Sequence, residues 1–487
     1  MQETLLSASE GMTILIVFGV AMFALVWFKT HNEKSAEGFL VASRSVSLFG
    51  GAFSIAVSWI WAPAVFICSL QAYTKGLPGI FWFTVPNILC FFIFAPLGIR
   101  LRRLMPQGYT LPEFIHQRYK SDPKTHLAFL CIFFGYQLGA IVINAVAGGT
   151  LLHIVSGVDP RLAIIIMSLI AIGYSLLSGL KASVFTDIIQ MIMVLTISFV
   201  LVPWVISEAG GWTTVVGGFS GVSGKFGNLF DAAIGFSMGI PMTLGLIAGP
   251  IGDQMFFQRA MAVREKNIVK TFILGGLLFG LVPIALSLLG FIAANPEINA
   301  QITVADPQIV GAVVIGHFLP KAALVLFCFM AFAGLASTLD SSYCALSSLG
   351  SIDIYKRYFN SKPNDHQLLS AARKTMLLMS VIGTAIALLQ PKLMWVFLIY
   401  GALASAGMFP TILSLYWKRL TPTGAFTAVI LSLLVGTPLS IYANVTENTN
   451  LIVTAAIASV SIGLIVCLIF GFSNRQESFD FNKITQD

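Results

Sequence analysis

Charged residues are scarce in this sequence, and their scarcity excludes a soluble protein. Only 10% of the 487 residues are Asp, Glu, Lys or Arg, whereas 57% are hydrophobic and the mean hydropathy is +0.87. A soluble globular protein carries roughly 25% charged residues. The composition therefore predicts an all-α polytopic membrane protein surrounded by membrane lipid.

Cysteine and histidine are also few, and their spacing favours neither disulfides nor a zinc site. The six cysteines lie in apolar segments, where we expect core thiols, and the six histidines are scattered singly. No nucleophile–base pair or nucleotide-binding loop is recognisable, so the sequence disfavours an enzyme and a primary pump. The net charge of +7 comes from basic residues in short loops. It indicates no nucleic-acid partner, and no obligate protein partner is evident.

Long apolar runs predict about 13 transmembrane helices, because about 18 or more apolar residues are needed to span a membrane. The first run is long enough to remain a spanning helix rather than a cleaved signal peptide. The predicted helices lie near 11–28, 47–75, 80–100, 126–153, 161–178, 183–207, 229–254, 269–293, 321–351, 374–390, 393–417, 423–442 and 451–472.

The basic residues orient these helices. With the N-terminus outside, 23 of the 28 Lys and Arg residues fall on the cytoplasmic side. An excess of basic residues marks cytoplasmic loops, so we expect a cytoplasmic C-terminus and a location in the plasma membrane (the inner membrane of a bacterial cell). The five remaining basic residues lie outside: Lys75, Arg161, Lys225, Lys321 and Lys392.

Two predicted helices contain helix-breaking residues. Pro63 interrupts 47–75, and Gly239-Ile240-Pro241 with Gly249-Pro250 interrupts 229–254. Such breaks expose backbone carbonyls that transporters use to bind ions, although Pro63 alone is also compatible with a simple kink. Two breaks five helices apart indicate a five-plus-five inverted repeat. The predicted units are 1–46 (N-terminal helix and cytoplasmic loop), 47–207 (first repeat), 208–228 (extracellular loop), 229–417 (second repeat) and 418–487 (two C-terminal helices and cytoplasmic tail).

The run AFAGLASTLDSSYCALSS, residues 331–348, is the most polar part of any predicted span. Ser337 and Thr338 follow Gly334 by about one turn, so two hydroxyls and a carbonyl offer hard oxygen ligands for sodium. The alternative is that the hydroxyls bond back to carbonyls of their own helix. Asp340 is turned away from Thr338 by about 200°, which makes it a candidate for coupling. Asp187, near the start of another span, is either a helix-dipole partner or a carboxylate near a cation exit.

These residues together resemble the sodium:solute symporter family, which has the leucine-transporter fold. The resemblance rests on Ser178-Gly179-Leu180-Lys181-Ala182 with Thr186-Asp187 and Gln190, on Asp253-Gln254 with Gln258-Arg259, and on Ala336-Ser337-Thr338-Leu339. It implies a sodium site made by the carbonyls of Val57, Ile60 and Gly334 and the hydroxyls of Ser337 and Thr338, with Asp187 near the sodium exit. Gly334 stands where the family usually has Ala, which we expect to matter little for a carbonyl ligand.

Within the family, Ser58-Trp59-Ile60-Trp61-Ala62 and the stretch from Gln71 to Gly76 are similar to the urea active transporter branch. We therefore expect sodium-coupled import of a small polar solute, with urea as the best candidate and sodium as the only bound metal ion. Aromatic faces suit a flat solute and polar groups suit its rim. The candidate residues are Trp59 and Trp61 for the faces, Gln71 and Asn87 for the rim, and Tyr400 as a gate.

Three further readings stay open at this point. An intramembrane carboxylate, Asp340 or Asp187, can carry a proton, so proton coupling is a rival to sodium coupling. An amino acid, a carboxylate or a sugar could be the solute instead of urea. The third hypothesis is a sensor or passive channel that keeps the transporter fold. Each candidate aromatic residue is also compatible with simple packing.

Overall fold

The computed structural model describes residues 5–30, 33–120, 122–304, 306–474 and 479–484. Arg475, one of the basic residues assigned to the cytoplasmic side, lies outside the described residues. Within them, twelve helices are long and apolar enough to cross a membrane. The only pairing of β type in this part of the chain is an isolated bridge between Val46 and Val263. The prediction of an all-α polytopic membrane fold is confirmed.

The described residues of the first half of the chain form nine α-helices. They are α1 (Ala8–Thr30), α2 (Ala36–Val41), α3 (Leu48–Ser58), α4 (Ala62–Leu104), α5 (Leu111–Arg118), α6 (Pro123–Ser156), α7 (Pro160–Ser178), α8 (Leu180–Glu208) and α9 (Trp212–Gly217).

Twelve α-helices and three π-helical segments follow in the described residues of the second half. The α-helices are α10 (Ala232–Ile234), α11 (Ile240–Ile251), α12 (Gln254–Ala262), α13 (Ile268–Ala294), α14 (Pro296–Asn299), α15 (Val310–Phe318), α16 (Lys321–Ser348), α17 (Asp365–Leu388), α18 (Leu393–Tyr416), α19 (Pro422–Leu431), α20 (Thr437–Val445) and α21 (Thr449–Ser473). The π-helical segments are Gly235–Gly239, Leu349–Phe359 and Ser432–Gly436.

The 43 residues of α4 account for the difference between thirteen predicted spans and twelve long helices. Gly76 has a φ of 57° and a ψ of −147°, so the helix is kinked there. A Cβ atom at Gly76 would lie 2.4 Å from the Phe219 carbonyl oxygen, which restricts this position to glycine. The part of α4 before Gly76 joins α3 as the predicted helix 47–75, and the part after it is the predicted helix 80–100.

The first predicted helix break is present and the second lies elsewhere. Between α3 and α4, residues 59–61 leave the helix, and Trp61 is extended with a φ of −89° and a ψ of −178°. The later helix continues through Gly249-Pro250 and is interrupted at Gly252 and Asp253, between α11 and α12. Pro241 does not break it, because the preceding turn, Gly235–Gly239, is π-helical, so the α-helical bonds that a proline would remove are already replaced there.

The polar run of α16 lies inside the protein. Every residue from 330 to 353 is buried, because α16 packs against α3, α6, α7 and α8. Its polar groups find hydrogen-bond partners within the protein. Five of the six cysteines are buried as expected, and Cys131 is exposed on α6.

Candidate functional site

The break between α3 and α4 contacts the middle of α16. The Thr338 hydroxyl lies 3.1 Å from the Ser58 carbonyl oxygen and 3.2 Å from that of Gly334. A Cβ atom on Gly334 would lie only 2.6 Å from the Ile60 carbonyl oxygen. Val57 is in the last turn of α3, where its carbonyl accepts a bond from the Ile60 N–H at 2.9 Å. The structure thus brings the carbonyls of Ser58 and Ile60 to the Gly334–Thr338 turn of α16, and the Val57 carbonyl belongs to the last helical turn before the break.

Ser337 joins this place to Asp187. Its hydroxyl donates to one Asp187 carboxylate oxygen at 2.5 Å, and the Ser54 hydroxyl donates to the other at 2.6 Å. Asp187 is fully buried and lies two turns inside α8, which begins at Leu180. The helix-dipole role is therefore wrong for Asp187, because that effect is confined to the first turn. Its carboxylate instead connects α8 to α3 and α16.

Asp340 is fully buried and faces a different set of hydroxyls. It accepts bonds from the Tyr174 hydroxyl at 2.6 Å and the Ser183 hydroxyl at 2.7 Å. Ser183 also lies 3.4 Å from Asp187, so a single serine bridges the two carboxylates. Asp340 makes no hydrogen bond to the Thr338 side chain within the described structure, in agreement with its expected direction on the helix.

Arg259 completes this cluster, and the sequence reasoning missed its role. The helix boundaries predicted from hydropathy place it in a cytoplasmic loop, yet only 1% of it is exposed. Its Nη2 donates to Ser341 at 2.5 Å and to Asp187 at 3.2 Å. Its place in the family motif, six residues after Asp253, was the available signal. One guanidinium against two carboxylates leaves the buried cluster one negative charge in excess when Asp187 and Asp340 are both ionised.

A cavity of about 370 Å³ lies beside the first helix break and holds four of the five predicted solute residues. One wall is aromatic. The rings of Trp59 and Trp61 are 6.0 Å apart, those of Trp61 and Tyr400 are 5.5 Å apart, and Tyr136 stacks on Tyr400 at 3.7 Å. Gln71 lies on another part of the lining. The stacked pair indicates that Tyr400 is held in place by Tyr136, which no feature of the apolar α6 sequence singles out.

Asn87 is the predicted solute residue that the structure does not bring to the cavity. Its side-chain oxygen accepts a bond from the Trp59 indole N–H at 2.9 Å, and its amide nitrogen donates to the Phe83 carbonyl at 2.8 Å. Asn87 is therefore behind Trp59 and orients the indole. The sequence could not separate these two roles, because both require only a polar group on the buried side of α4.

The sequence model of the Sodium:solute symporter family matches residues 39–432, which is most of the chain. The chain belongs to the sodium:solute symporter family. The chain is 25% identical to a urea-proton symporter of Oryza sativa subsp. japonica, over 87% of the chain and 64% of that protein. It is 24% identical to a probable urea active transporter of Schizosaccharomyces pombe, over 88% of the chain and 69% of that protein. The chain thus spans about two thirds of the length of these two relatives.

A third relative, a sodium/glucose cotransporter of Vibrio parahaemolyticus, is 25% identical over 86% of the chain and 82% of that protein. Among solved structures, a sodium-coupled sialic acid symporter in an outward-open state matches with a TM-score of 0.79, at 17% identity, over 95% of this chain and 98% of that one. A nucleobase-cation-symport-1 family transporter matches with a TM-score of 0.52 at 14% identity, over 93% and 98%. These likenesses confirm the leucine-transporter-like fold.

Proposed function

We propose that this protein is a sodium-coupled symporter that imports a small polar solute, with urea as the best candidate. The observation that carries the proposal is the contact between the first helix break and α16. There, backbone carbonyls from two helices meet the Thr338 hydroxyl beside an aromatic cavity. We further propose that the N-terminus is outside and that the protein lies in the plasma membrane, as the basic residues suggest.

The proposed sodium ligands are oxygen atoms with little net charge. They are the carbonyls of Val57, Ile60 and Gly334 and the hydroxyls of Ser337 and Thr338. Oxygen ligands suit a hard cation, and a site with few charges lets the ion leave again. The bond from Thr338 to the Ser58 carbonyl already joins α16 to the break, and a bound ion would strengthen the same junction.

Asp187 has a supporting role in this proposal. Its carboxylate holds the Ser337 hydroxyl at 2.5 Å, so it orients a ligand and attracts a cation without being the main ligand itself. Sodium released toward the cytoplasm would pass it. The membrane potential contributes about 2.3 kcal/mol per charge per 100 mV to uptake.

Urea fits the aromatic part of the cavity. It is flat and neutral, and Trp59, Trp61 and Tyr400 offer ring faces, with neighbouring rings no more than 6.0 Å apart. Two relatives whose names refer to urea support this choice, although a glucose cotransporter is also among the relatives. A gate formed by Tyr400 would be supported by its stacking on Tyr136.

Proton coupling is the second candidate, and the buried cluster favours it over a sensor or a passive channel. Asp340 and Asp187 share Ser183 and lie beside a single guanidinium, so one proton would neutralise the excess charge. The rice relative is named as a urea-proton symporter. Asp340 is the coupling residue in this version of the mechanism.

Uptake of labelled urea into proteoliposomes tests both versions. We expect accumulation when an inward sodium gradient is imposed at equal pH on both sides, and none when potassium replaces sodium. Accumulation that follows an imposed pH gradient without sodium would establish proton coupling instead. If urea neither enters nor competes, a panel of proline, sugars, carboxylates and choline identifies the solute and the urea assignment fails.

A further inference from the structure

Lys75 lines the solute cavity and lacks an acidic partner. It lies in the last turn of α4 before Gly76, and its only hydrogen-bond contact in the described structure is the Met238 sulfur, 3.6 Å from Nζ. None of the ion pairs between described residues includes Lys75. A thioether is a weak acceptor and an ammonium has three donors. Lys75 therefore has donors available inside the cavity.

Gln71 lies one turn before Lys75 and lines the same cavity. Residues four apart are neighbours on one face of a helix, so the two side chains form one polar edge. The Gln71 Oε1 atom is buried and has no hydrogen-bond partner within the described part of the chain. Buried polar atoms are normally satisfied. The edge thus combines the donors of Lys75 with a buried acceptor that has no partner and that would face a solute after rotation of the Gln71 side chain.

The rest of the described cavity lining contains neither Asp nor Glu. The buried carboxylates of Asp187 and Asp340 accept bonds from their own hydroxyl partners and do not line the cavity. A cationic solute bound at the polar edge would therefore lie beside the Lys75 ammonium with no carboxylate on the lining to offset the repulsion. Like charges a few ångström apart repel strongly in a medium less polar than water.

We infer that Lys75 and Gln71 together select solutes that have a neutral carbonyl group flanked by N–H groups, and that Lys75 excludes cations of the same shape. The Lys75 ammonium donates to the carbonyl oxygen of the solute, and Gln71 Oε1 accepts from one of its N–H groups. This inference rests on the proposed function and adds the atoms that would form hydrogen bonds with the polar rim of the solute.

Urea and guanidinium form a matched pair of probes for this inference. Both are planar and have nearly the same size. Guanidinium replaces the carbonyl oxygen with a third nitrogen that bears hydrogen and has a positive charge, so it offers no acceptor to Lys75 and is repelled by it. The aromatic wall attracts guanidinium at least as strongly as urea, because cations bind the faces of Trp and Tyr rings. Weaker binding of guanidinium therefore reports on the polar edge.

The experiment measures how well guanidinium and unlabelled urea inhibit sodium-driven uptake of labelled urea in proteoliposomes. For the wild type we expect guanidinium to inhibit at least about tenfold more weakly than urea. Lys75→Gln removes the charge, so this ratio should fall by about tenfold, whereas Lys75→Arg should preserve it. Lys225→Gln is the matched control, since Lys225 is an exposed basic residue of the same predicted outer side. Gln71→Leu should weaken the binding of urea, and guanidinium should remain as poor an inhibitor as it is of the wild type.

The outcomes separate this inference from the proposed function. Equal inhibition by urea and guanidinium in the wild type overturns the inference without any variant, so it stays testable even if Lys75→Gln does not fold. An unchanged ratio in a Lys75→Gln protein with wild-type melting temperature overturns it as well. A wild type that takes up no urea overturns the urea assignment together with this inference, whereas urea uptake with unchanged selectivity overturns only this inference.

Discussion

Two polar regions lie beside the first helix break, and they differ in how their hydrogen bonds are satisfied. Around Asp187 and Asp340, all four carboxylate oxygens accept bonds from hydroxyls. In the described lining of the solute cavity, Gln71 Oε1 has no hydrogen-bond partner and the Lys75 ammonium has a sulfur atom as its only one. The carboxylates of the first region are satisfied by the protein, and the second region has polar atoms available for a solute.

This difference predicts which substitutions should affect folding and which should affect transport. A buried charge that loses its partner is strongly destabilising, because the remaining charge is left without compensation. A cavity residue that loses its polar group costs contacts with the solute and little else. Four experiments test this contrast, from the largest expected effect to the smallest.

Arg259→Met should have the largest effect on stability. It leaves the carboxylates of Asp187 and Asp340 without the guanidinium beside them, and breaking such a buried pair costs about 3–5 kcal/mol. We expect a marked fall in the melting temperature of the detergent-solubilised protein. Arg161→Met, at an exposed position, serves as control. A melting temperature equal to that of the control would contradict the electrostatic role of the cluster.

Replacing both Ser337 and Thr338 by Ala should raise the sodium concentration needed for half-maximal uptake. Two proposed ligands are lost, and each lost hydrogen-bonding group costs about 1–3 kcal/mol, so a shift of about tenfold or more is expected. Ser342→Ala is the control, because its hydroxyl bonds back to the Thr338 carbonyl at 2.8 Å and otherwise contacts the Met255 sulfur. The proposed sodium site fails if the sodium requirement of the double variant stays at the wild-type level.

Asn87→Leu should weaken the binding of urea without changing the sodium concentration needed for uptake. The Trp59 indole would lose its bond to Asn87, which is worth about 1 kcal/mol and corresponds to a several-fold change in half-saturation. Trp59→Phe removes the same bond from the other side. The double variant should therefore be no worse than the poorer single variant. Fully additive effects would instead favour a direct contact between Asn87 and the solute.

Gly334→Ala should have the smallest effect. The family resemblance predicts that Ala is tolerated here, but a Cβ atom would lie 2.6 Å from the Ile60 carbonyl oxygen. The helix break must then move away from α16, and we expect a change of about threefold in sodium half-saturation with modest destabilisation. Gly173→Ala is the control, since nothing in the described structure lies within 4 Å of its Cβ position. Identical sodium dependence in both variants would contradict this prediction. It would show that the backbone of the helix break can move away from α16 without affecting sodium binding.

Much of the fold follows from local properties of the chain. Apolar length predicts where helices lie, and the break before Pro63 is found between Ser58 and Ala62. The prediction of the second break was wrong in position, because a proline interrupts a helix only where its missing N–H or its ring removes a bond. Pro241 follows the π-helical segment Gly235–Gly239, where α-helical bonds are already replaced, and the helix is interrupted only two residues after Pro250, at Gly252 and Asp253.

The sequence by itself therefore determined the membrane class, the helices and the residues polar enough to need partners. Only the tertiary structure decided which partners they have. Ser337 and Asp187 are 150 residues apart in the sequence and share a hydrogen bond. Trp59 and Asn87 also share one, although they lie on opposite sides of the kink at Gly76. Hydropathy and helix breaks act over a few neighbouring residues, whereas hydrogen bonds between helices depend on how the whole bundle packs.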